Sequence, residues 1–411
     1  MPNKELINKL AKLAVRVGAN VQKDQVVFIR TTTEAKEIVR EVVEEAYLAG
    51  AKRVFVGWND DYVTHSGFTH MDQEELTKVP GWLIEQYKEF VNQGACFISI
   101  VSPMPGLNSD IDPKKAQAAE IAASKALSFF REHAMGNKTQ WTIIGASNPV
   151  WAKKVFPQLG EEEAVEKLWD AIFDASRVRL TSDPIKEWEL HNEILLKHNQ
   201  LLNKYNFKHL HFKNKKGTDL VVELIKDHVW AGGGEHAANG TYFNPNIPTE
   251  ETFTMPYKFG TRGKVYSTKP LNYQGKLIED FWLEFKEGKV VDFDAKKERD
   301  TLENLLNTDE GSRYIGEIAL ISHDSPISNT NILFLNTLFD ENASCHMALG
   351  RAYPMNVKNG MNTSLEDLIK QGYNNSMVHS DFMFGSEDME IVGLTQDGKE
   401  VQVFSKGNFV I

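Results

Sequence analysis

The sequence contains only two cysteines, Cys96 and Cys345, among its 411 residues. Two thiols are too few for a disulfide framework or for a thiolate zinc site, which predicts a protein of a reducing compartment. No stretch approaches the roughly 18 consecutive apolar residues that a membrane-spanning helix needs. Residues 1–5 lead into an amphipathic helix without the apolar segment of a signal peptide. We therefore expect a soluble, cytoplasmic protein.

Positive charge is also scarce. The 46 lysines and arginines are outnumbered by 57 aspartates and glutamates, which leaves a net charge of -11 at pH 7. Nucleic acids and anionic membranes are bound by basic surfaces, because their own charge is negative. The charge balance therefore predicts that neither nucleic acid nor membrane is a partner.

Several sequence patterns of common enzyme classes are absent. A threonine triplet at 31–33 follows the first predicted strand, where a dinucleotide-binding protein has a Gly-x-Gly-x-x-Gly turn, and no Gly-Lys-Ser/Thr loop occurs. The glycine triplet at 232–234 precedes no helical pattern and is predicted to be a loop. No Gly-x-Ser-x-Gly elbow occurs, and Cys345 is expected to be a packing residue. His191 and His198 share a predicted helix that lacks the His-Glu-x-x-His pattern of zinc peptidases.

Length and hydrophobic periodicity predict two domains, because 411 residues exceed the size of a typical single core. A strand at 25–30, a helix at 35–49 and a strand at 53–58 form a β-α-β unit, which implies a parallel sheet. The alternation continues through a predicted helix at 113–131 and beyond it. We predict a doubly wound, mostly parallel α/β domain over residues 1–204.

The pattern changes near residue 205, where short strands with alternating polarity dominate. One helix is predicted at 295–306, and the chain ends in a hairpin whose turn contains 396–398. These features predict a mixed α+β domain with much antiparallel sheet over residues 205–411. The candidate site residues described below all lie in this C-terminal domain.

The first candidate site residues are His379 and Asp381, within a short predicted strand at 377–385. Residues two apart in a strand project from the same face, so an imidazole lies beside a carboxylate. Alone, such a pair is more often a hydrogen-bonded couple than part of a metal site.

Three upstream segments add two further carboxylates and an imidazole. If the chain is extended there, Glu251 shares a face with apolar neighbours while Glu250 points away, so Glu251 is the better ligand candidate. Glu317 lies within an apolar run, where an unpaired carboxylate is costly. His346 lies among small and apolar residues. Taken alone, each is more often a structural residue: Glu251 a solvated acid, Glu317 a member of an ion pair and His346 a core histidine.

Taken together, these residues provide three carboxylates and two imidazoles, the ligand types that suit zinc, cobalt or manganese. Two divalent cations would balance three carboxylates and one bridging hydroxide, so the charges also fit a two-metal site. The residue types alone leave this site a hypothesis. The candidate ligands are Glu251, Glu317, His346, His379 and Asp381.

Four motifs occur in a fixed order along the second half of the chain. They are Asn-Ile-Pro-Thr-Glu-Glu at 246–251, Gly-Glu-Ile-Ala-Leu at 316–320, Cys-His-Met-Ala-Leu-Gly at 345–350 followed by Ala-Tyr-Pro, and His-Ser-Asp-Phe-Met-Phe-Gly at 379–385. With them the chain resembles the aminopeptidase T, AmpS and PepS family of thermophilic-type metallo-aminopeptidases.

The resemblance implies a co-catalytic centre of two divalent cations, for which Glu317 is the bridge and Tyr353 the active-site tyrosine. It also implies peptide substrates with a free N-terminus and a homodimer. Carried over to this sequence, the ligands would be Glu251, Glu317, His346, His379 and Asp381.

On this basis we expect hydrolysis of the N-terminal peptide bond by an activated water. Tyr353 would donate a hydrogen bond to the developing oxyanion, and Glu250 or Glu251 would carry a proton to the leaving amine. Two alternatives stay open. One is a metallohydrolase of another amide or ester, and the other is a non-catalytic two-domain peptide-binding protein.

Overall fold

A computed structural model describes residues 3–274 and 276–411 of the chain. Met1 and Pro2, at the start of the predicted N-terminal segment, lie outside the described residues. The chain divides into two compact units. The first consists of Met1–Leu190 with Gly234–Pro248, and the second of His191–Gly233 with Thr249–Ile411. The domain boundary predicted after residue 204 stays a prediction.

The described residues form helices and strands along the whole chain. The helices are α1 (Lys4–Leu13), α2 (Lys36–Leu48), α3 (Asp61–His70), α4 (Gln73–Leu76), α5 (Gly81–Asn92), α6 (Pro113–Ala126), α7 (Ser128–Met135), α8 (Pro149–Val155), α9 (Glu161–Ala175), α10 (Pro184–Tyr205), α11 (Arg299–Leu306), α12 (Pro326–Thr330), α13 (Thr337–Asp340) and α14 (Leu365–Gln371). The strands are β1 (Val26–Thr32), β2 (Arg53–Asn59), β3 (Cys96–Val101), β4 (Trp141–Gly145), β5 (Phe207–Lys213), β6 (Asp219–Glu223), β7 (Glu235–His236), β8 (Tyr242–Phe243), β9 (Thr252–Thr254), β10 (Arg262–Tyr266), β11 (Leu271–Tyr273), β12 (Lys276–Lys286), β13 (Lys289–Lys297), β14 (Ile315–Leu320), β15 (His346–Gly350), β16 (His379–Met383), β17 (Glu390–Thr395), β18 (Glu400–Ser405) and β19 (Asn408–Phe409). Within this described part of the chain, no helix combines the length and the apolar character needed to cross a bilayer.

The first unit is built on a parallel sheet of four strands in the order β2-β1-β3-β4. After β1 the chain adds β2 on one side, and it later adds β3 and β4 on the other side. This is the connectivity of a doubly wound sheet. Aromatic rings fill its core: Phe28 stacks on Phe90 with ring centroids 4.2 Å apart, and Phe97 meets Phe130 edge-on at 4.8 Å. The predicted parallel α/β fold is confirmed for this unit.

The second unit contains two antiparallel sheets. In the larger sheet the strands follow the order β11-β12-β10-β6-β5-β17-β18-β19, with β13 paired to β12, and in the smaller sheet the order is β16-β15-β14-β9. Ile318, Met347 and Phe382 project from the smaller sheet into a core that includes residues of the larger one. The ring centroids of Phe382 and Phe281 are 5.2 Å apart. The predicted mixed, largely antiparallel second half is confirmed.

Two predicted helices differ from those observed. The helix predicted at 113–131 is interrupted, because Leu127 has non-helical backbone angles (φ -104°, ψ 21°) between α6 and α7. The helix predicted at 295–306 begins only at Arg299. Strand β13 continues to Lys297, and Glu298, with φ 57°, turns the chain between the two elements.

Phe212 on β5 tests the packing of the second unit, because its side chain is fully buried and its ring lies 5.3 Å from that of Phe384. We expect Phe212→Ala to lower the free energy of unfolding by about 3–5 kcal/mol through lost contacts and a residual cavity. Urea denaturation followed by tryptophan fluorescence measures the change. Phe259→Ala, at a site 48% exposed, is the control and should cost at most about 1 kcal/mol. Equal losses in the two variants would contradict the described core.

Candidate metal centre

The candidate ligands project from one face of the smaller antiparallel sheet of the second unit. Glu317, Ala348 and Asp381 lie opposite one another on β14, β15 and β16. His346 and His379 each lie two residues from a member of this row, so the alternation of the strand turns them to the same face. The small side chain of Ala348 at the centre of the row leaves space between the two carboxylates.

Glu251 reaches this face from the edge strand of the sheet. It directly precedes β9, in which Phe253 lies opposite Ala319 of β14. Ala319 is two residues from Glu317, and Phe253 is two residues from Glu251. An extended chain at this point therefore places the two glutamates on a common face.

His346 joins two of the carboxylates. Its Nε2 lies 3.2 Å from Oε2 of Glu251 and 3.4 Å from Oε1 of Glu317. One potential ligand atom from each of these three buried residues lies within 4.8 Å of the other two. The Nδ1 of His346 is 3.4 Å from the Ser344 carbonyl oxygen. A carbonyl only accepts, so Nδ1 carries the proton and Nε2 faces the carboxylates.

His379 forms the second half of the cluster. Its Nε2 lies 3.5 Å from Oδ2 of Asp381 and 3.7 Å from Oε2 of Glu317. Its Nδ1 donates a hydrogen bond of 2.7 Å to the carbonyl oxygen of Arg351. This bond fixes the ring with Nε2 toward the two carboxylates, which is the orientation that a metal-binding histidine requires.

Glu317 connects the two halves. Its Oε1 faces His346 and its Oε2 faces His379. A carboxylate in this position can provide one oxygen to each of two neighbouring cations.

The charges in the cluster shift the pKa values of its members in opposite directions. Burial raises the pKa of Glu317, with a further rise from the nearby Asp381 carboxylate, although the His346 imidazole opposes both. Burial by itself lowers the pKa of His379, but the Asp381 and Glu317 carboxylates outweigh it and raise the value to about 10. The negative potential that retains protons on the imidazoles also attracts cations.

The donor set fits a divalent cation. Carboxylate oxygens and imidazole nitrogens are ligands of zinc, cobalt and manganese. In addition, Oδ1 of Asp381 is buried and has no hydrogen-bond partner among the residues that the structure describes. A buried carboxylate oxygen without a donor is costly, and a bound cation removes that cost.

Glu341 is a fourth carboxylate that the sequence analysis missed. Burial raises its pKa well above the ordinary value, and the carboxylates of Asp381 and Glu251 raise it further. Glu341 belongs to a short 3-10 turn after α13, where no strand alternation or apolar run marks it. Its position between an aspartate and an asparagine is typical of a solvated turn, so the sequence held no signal for it.

Tyr353 lies beside the second half of the cluster. Its ring centroid is 4.8 Å from that of His379 and 6.4 Å from that of Phe253. Burial raises the pKa of the Tyr353 hydroxyl, and the carboxylates of Glu317 and Asp381 add to the shift. The hydroxyl therefore stays protonated at neutral pH and can donate a hydrogen bond.

Glu250 is buried in a different environment from that of Glu251. Its Oε2 lies 3.8 Å from Nε2 of His191, and its backbone N–H donates to Oδ1 of Asn342 at 2.8 Å. The two adjacent glutamates thus have different neighbours, as expected from strand alternation. The helical spacing of His191 and His198 gave no indication that His191 would lie near Glu250.

Two features that the sequence analysis set aside have structural explanations. Cys345 is buried, its Sγ accepts a hydrogen bond from the Ile321 N–H at 3.4 Å, and burial raises its pKa to about 11. A thiol with a raised pKa stays protonated at neutral pH, so Cys345 is a packing residue and not a nucleophile. In the glycine triplet, Gly232 has φ 147°, and a Cβ at this position would lie 2.2 Å from the Glu251 carbonyl oxygen. The absence of a side chain at Gly232 therefore lets the backbone approach Glu251.

Comparison with known proteins identifies the family. The family described as thermophilic metalloprotease (M29) matches residues 3–409. The chain belongs to the M29 family. The resemblance inferred from the four motifs is therefore confirmed.

Relatives of this M29 chain share its full length. It is 46% identical over 403 residues to aminopeptidase 2 of Geobacillus stearothermophilus, which covers 98% of this chain and 97% of that protein. It is also 46% identical to aminopeptidase AmpS of Bacillus subtilis, with 98% of each chain covered. The solved structure of wild-type AmpT from Thermus thermophilus matches with a TM-score of 0.93 and 39% identity, over 99% of this chain and 100% of that one. The predicted fold class is confirmed by this similarity.

Gly232 tests how closely the M29 centre depends on the position of Glu251. We expect Gly232→Ala to displace the Glu251 backbone and to lower the hydrolysis of leucyl-p-nitroanilide by about 100-fold, since small displacements of reacting groups are costly. Steady-state kinetics measures the loss. Gly398→Ala is the matched control, because Gly398 also has a positive φ (86°) but no atom lies within 4 Å of its Cβ position. Similar kinetics of the two variants would contradict the role of Gly232.

Proposed function

We propose that the cluster holds two divalent cations and that the chain uses them to remove N-terminal residues from peptides. Membership of the M29 family and full-length similarity to aminopeptidases make the chain a metallo-aminopeptidase, and the two alternative functions are not favoured. The observation that supports the two-cation centre is the geometry of Glu317, whose two oxygens face different imidazoles.

Each proposed cation position has three protein ligands. Glu251, Glu317 and His346 would hold one cation, and Glu317, His379 and Asp381 would hold the other. The mixture of oxygen and nitrogen ligands favours zinc, cobalt or manganese. Glu341 is a further carboxylate beside the cluster, and its pKa is raised by burial and by the carboxylates of Asp381 and Glu251.

The chain's own residues orient the reaction around this centre. Bound divalent cations would supply Lewis acidity to the scissile carbonyl and would lower the pKa of an attacking water. The Arg351 carbonyl holds His379 in its ligand orientation, and Glu317 fixes the spacing between the two halves of the cluster. Glu317 and His346 are buried, and the lower dielectric constant around buried groups strengthens their electrostatic interactions.

Tyr353 is our candidate for stabilising the tetrahedral oxyanion. Its hydroxyl is held in the protonated form by burial and by the neighbouring carboxylates, so it can donate a hydrogen bond as negative charge develops on the carbonyl oxygen. The packing of its ring against His379 keeps the hydroxyl beside the cluster.

Glu250 and Glu251 are the candidates for proton transfer to the leaving amine. Glu251 contacts the cluster directly, while Glu250 lies beside His191 and is attached to the same short segment. A general acid must lie within hydrogen-bond reach of the leaving nitrogen. We propose Glu250 for this role, because Glu251 is occupied as a ligand.

The wider biological setting belongs to the same proposal. Relatives named as aminopeptidases support peptides with a free N-terminus as substrates. Both cysteines are buried as free thiols, which suits the reducing cytoplasm. A homodimer, implied by the family resemblance, completes the proposal.

Glu317→Gln tests the bridging role. The amide cannot provide two anionic oxygens, so we expect the bound metal to fall from about two ions per chain to less than one and the hydrolysis of leucyl-p-nitroanilide to be abolished. Inductively coupled plasma mass spectrometry and steady-state kinetics measure the two effects. Glu366→Gln, at an exposed position on α14, is the control and should behave as wild type. Wild-type turnover in Glu317→Gln would exclude a bridge at this position.

Tyr353→Phe separates oxyanion stabilisation from metal binding. Removal of the hydroxyl should lower kcat by about 100-fold while the metal content stays unchanged, because the ring still packs against His379. Tyr62→Phe, 53% exposed in the first unit, serves as the control. If Tyr353→Phe loses metal instead, the tyrosine has a structural role.

A further inference from the structure

A cavity of about 190 Å³ opens in the second unit beside the candidate metal centre. Asp381 and Glu341 form part of its wall, so the cavity borders the groups that surround the cluster. Leu271 of β11 and Met383 of β16 line it from the strands, and Leu333 and Leu335 line it from the segment before α13. Polar side chains complete the wall, those of Asn272, Asn336 and Thr337.

The apolar part of this wall is held in a fixed conformation. Leu335 has φ 58°, a region in which leucine is strained and persists only when its surroundings impose it. The buried Asp340 carboxylate accepts hydrogen bonds from the backbone N–H groups of the two residues that flank Leu335, Phe334 at 2.7 Å and Asn336 at 3.0 Å. Asp340 is therefore a positioning residue for the leucine-bearing segment.

The size of the cavity suits one medium apolar side chain. A protein cavity of roughly 150 Å³ lined by apolar residues accommodates a benzene molecule. The volume beside the cluster is therefore sufficient for the side chain of leucine, methionine or phenylalanine. The apolar surface against which such a side chain would pack is formed by Leu271, Leu333, Leu335 and Met383.

The ionisable residues of the wall offer no partner to an acidic substrate side chain. The ionisable residues that line the cavity, among those the structure describes, are the acids Asp340, Glu341 and Asp381. Lys269 lines a neighbouring cleft, where its ammonium group acts on Asp340. No cationic side chain lines the cavity among the described residues, so a substrate carboxylate placed there would lose its hydration without gaining an ion pair.

We propose that this cavity binds the side chain of the substrate's N-terminal residue and that Leu333 and Leu335 make it selective for apolar side chains of leucine to phenylalanine size. The inference rests on the proposed aminopeptidase function. The α-carbon of the N-terminal residue is bonded to the scissile carbonyl carbon, so a peptide cleaved at the cluster must place that side chain next to it. The cavity shares Asp381 with the cluster, so it borders the proposed reaction site.

The proposal is tested with alanyl-, leucyl-, phenylalanyl- and glutamyl-p-nitroanilide. For the wild-type holoenzyme we expect kcat/KM for the leucyl and phenylalanyl substrates to exceed that for the alanyl substrate by about 10-fold or more. The glutamyl substrate should be about 100-fold poorer than the leucyl substrate. A glutamyl rate equal to the leucyl rate would overturn the proposal.

Leu333→Trp and Leu333→Ala change the cavity in opposite directions. Leu333→Trp should fill it and lower kcat/KM for the leucyl substrate by about 10-fold while the alanyl value changes by less than about 3-fold. Leu333→Ala should enlarge it and raise the phenylalanyl value relative to the leucyl value. Leu365→Trp, 46% exposed on α14, controls for the added indole and should leave all ratios unchanged.

Metal content and thermal unfolding are measured for each variant, so that a loss of the centre or of the fold is separated from a change in selectivity. Equal changes for all substrates in both Leu333 variants, with metal content unchanged, would overturn the cavity proposal and leave the aminopeptidase function intact. A metal-loaded wild-type chain that hydrolyses none of the substrates would overturn the proposed function, and the cavity proposal with it.

Discussion

Repulsion between buried carboxylates is the constraint on which the second unit depends. Glu251, Glu317, Glu341 and Asp381 act on one another in a largely buried cluster. Two like unit charges 4 Å apart repel by about 4 kcal/mol at an effective dielectric constant of about 20, so several such pairs cannot all be ionised without compensation. Two imidazoles offset part of this repulsion, and divalent cations would offset the remainder. This repulsion supports the proposed cation site over a set of structural ion pairs.

The smaller antiparallel sheet of the second unit, β16-β15-β14-β9, compensates for this repulsion. One of its faces contributes Ile318, Met347 and Phe382 to the core of the unit, which holds the strands in register. The opposite face can then carry charged groups at fixed spacing, because the positions of Glu317 and Asp381 are set by the backbone hydrogen bonds of the sheet rather than by their own interactions. Burial of the apolar face therefore stabilises the sheet. It offsets the unfavourable free energy of the charged groups on the opposite face.

Strand alternation explains which parts of the site could be predicted from the sequence. The spacing of His379 and Asp381 predicts a shared face, and the same reasoning distinguishes Glu251 from Glu250; the structure shows both arrangements. Whether these residues bind metal stays a prediction. The convergence of segments far apart in the sequence had no local signal, and it was the order of four motifs that suggested it. Glu341 was missed because a glutamate in a short turn resembles any solvated acid.

The fold of the first unit was predictable for a related reason, since its strands and helices alternate regularly between β1 and β4. The limits of the prediction lay at element ends. Leu127 interrupts a segment whose composition is compatible with one continuous helix. Glu298 follows the last residue of β13 and has a left-handed backbone conformation, which periodicity does not indicate. Both outcomes depend on backbone angles that tertiary packing selects, which a pattern of apolar residues does not encode.

The position of Asp381 relates the chemistry of the centre to the selection of substrates. One of its oxygens faces His379, the other is buried without a donor among the described residues, and the residue also lines the cavity. A doubly wound sheet usually binds its ligand where the strand order reverses, but the corresponding segment here is a threonine triplet without a phosphate-binding turn. The groups suited to catalysis are instead on the antiparallel sheet of the second unit. The α/β fold of the first unit by itself therefore assigns no function to this chain.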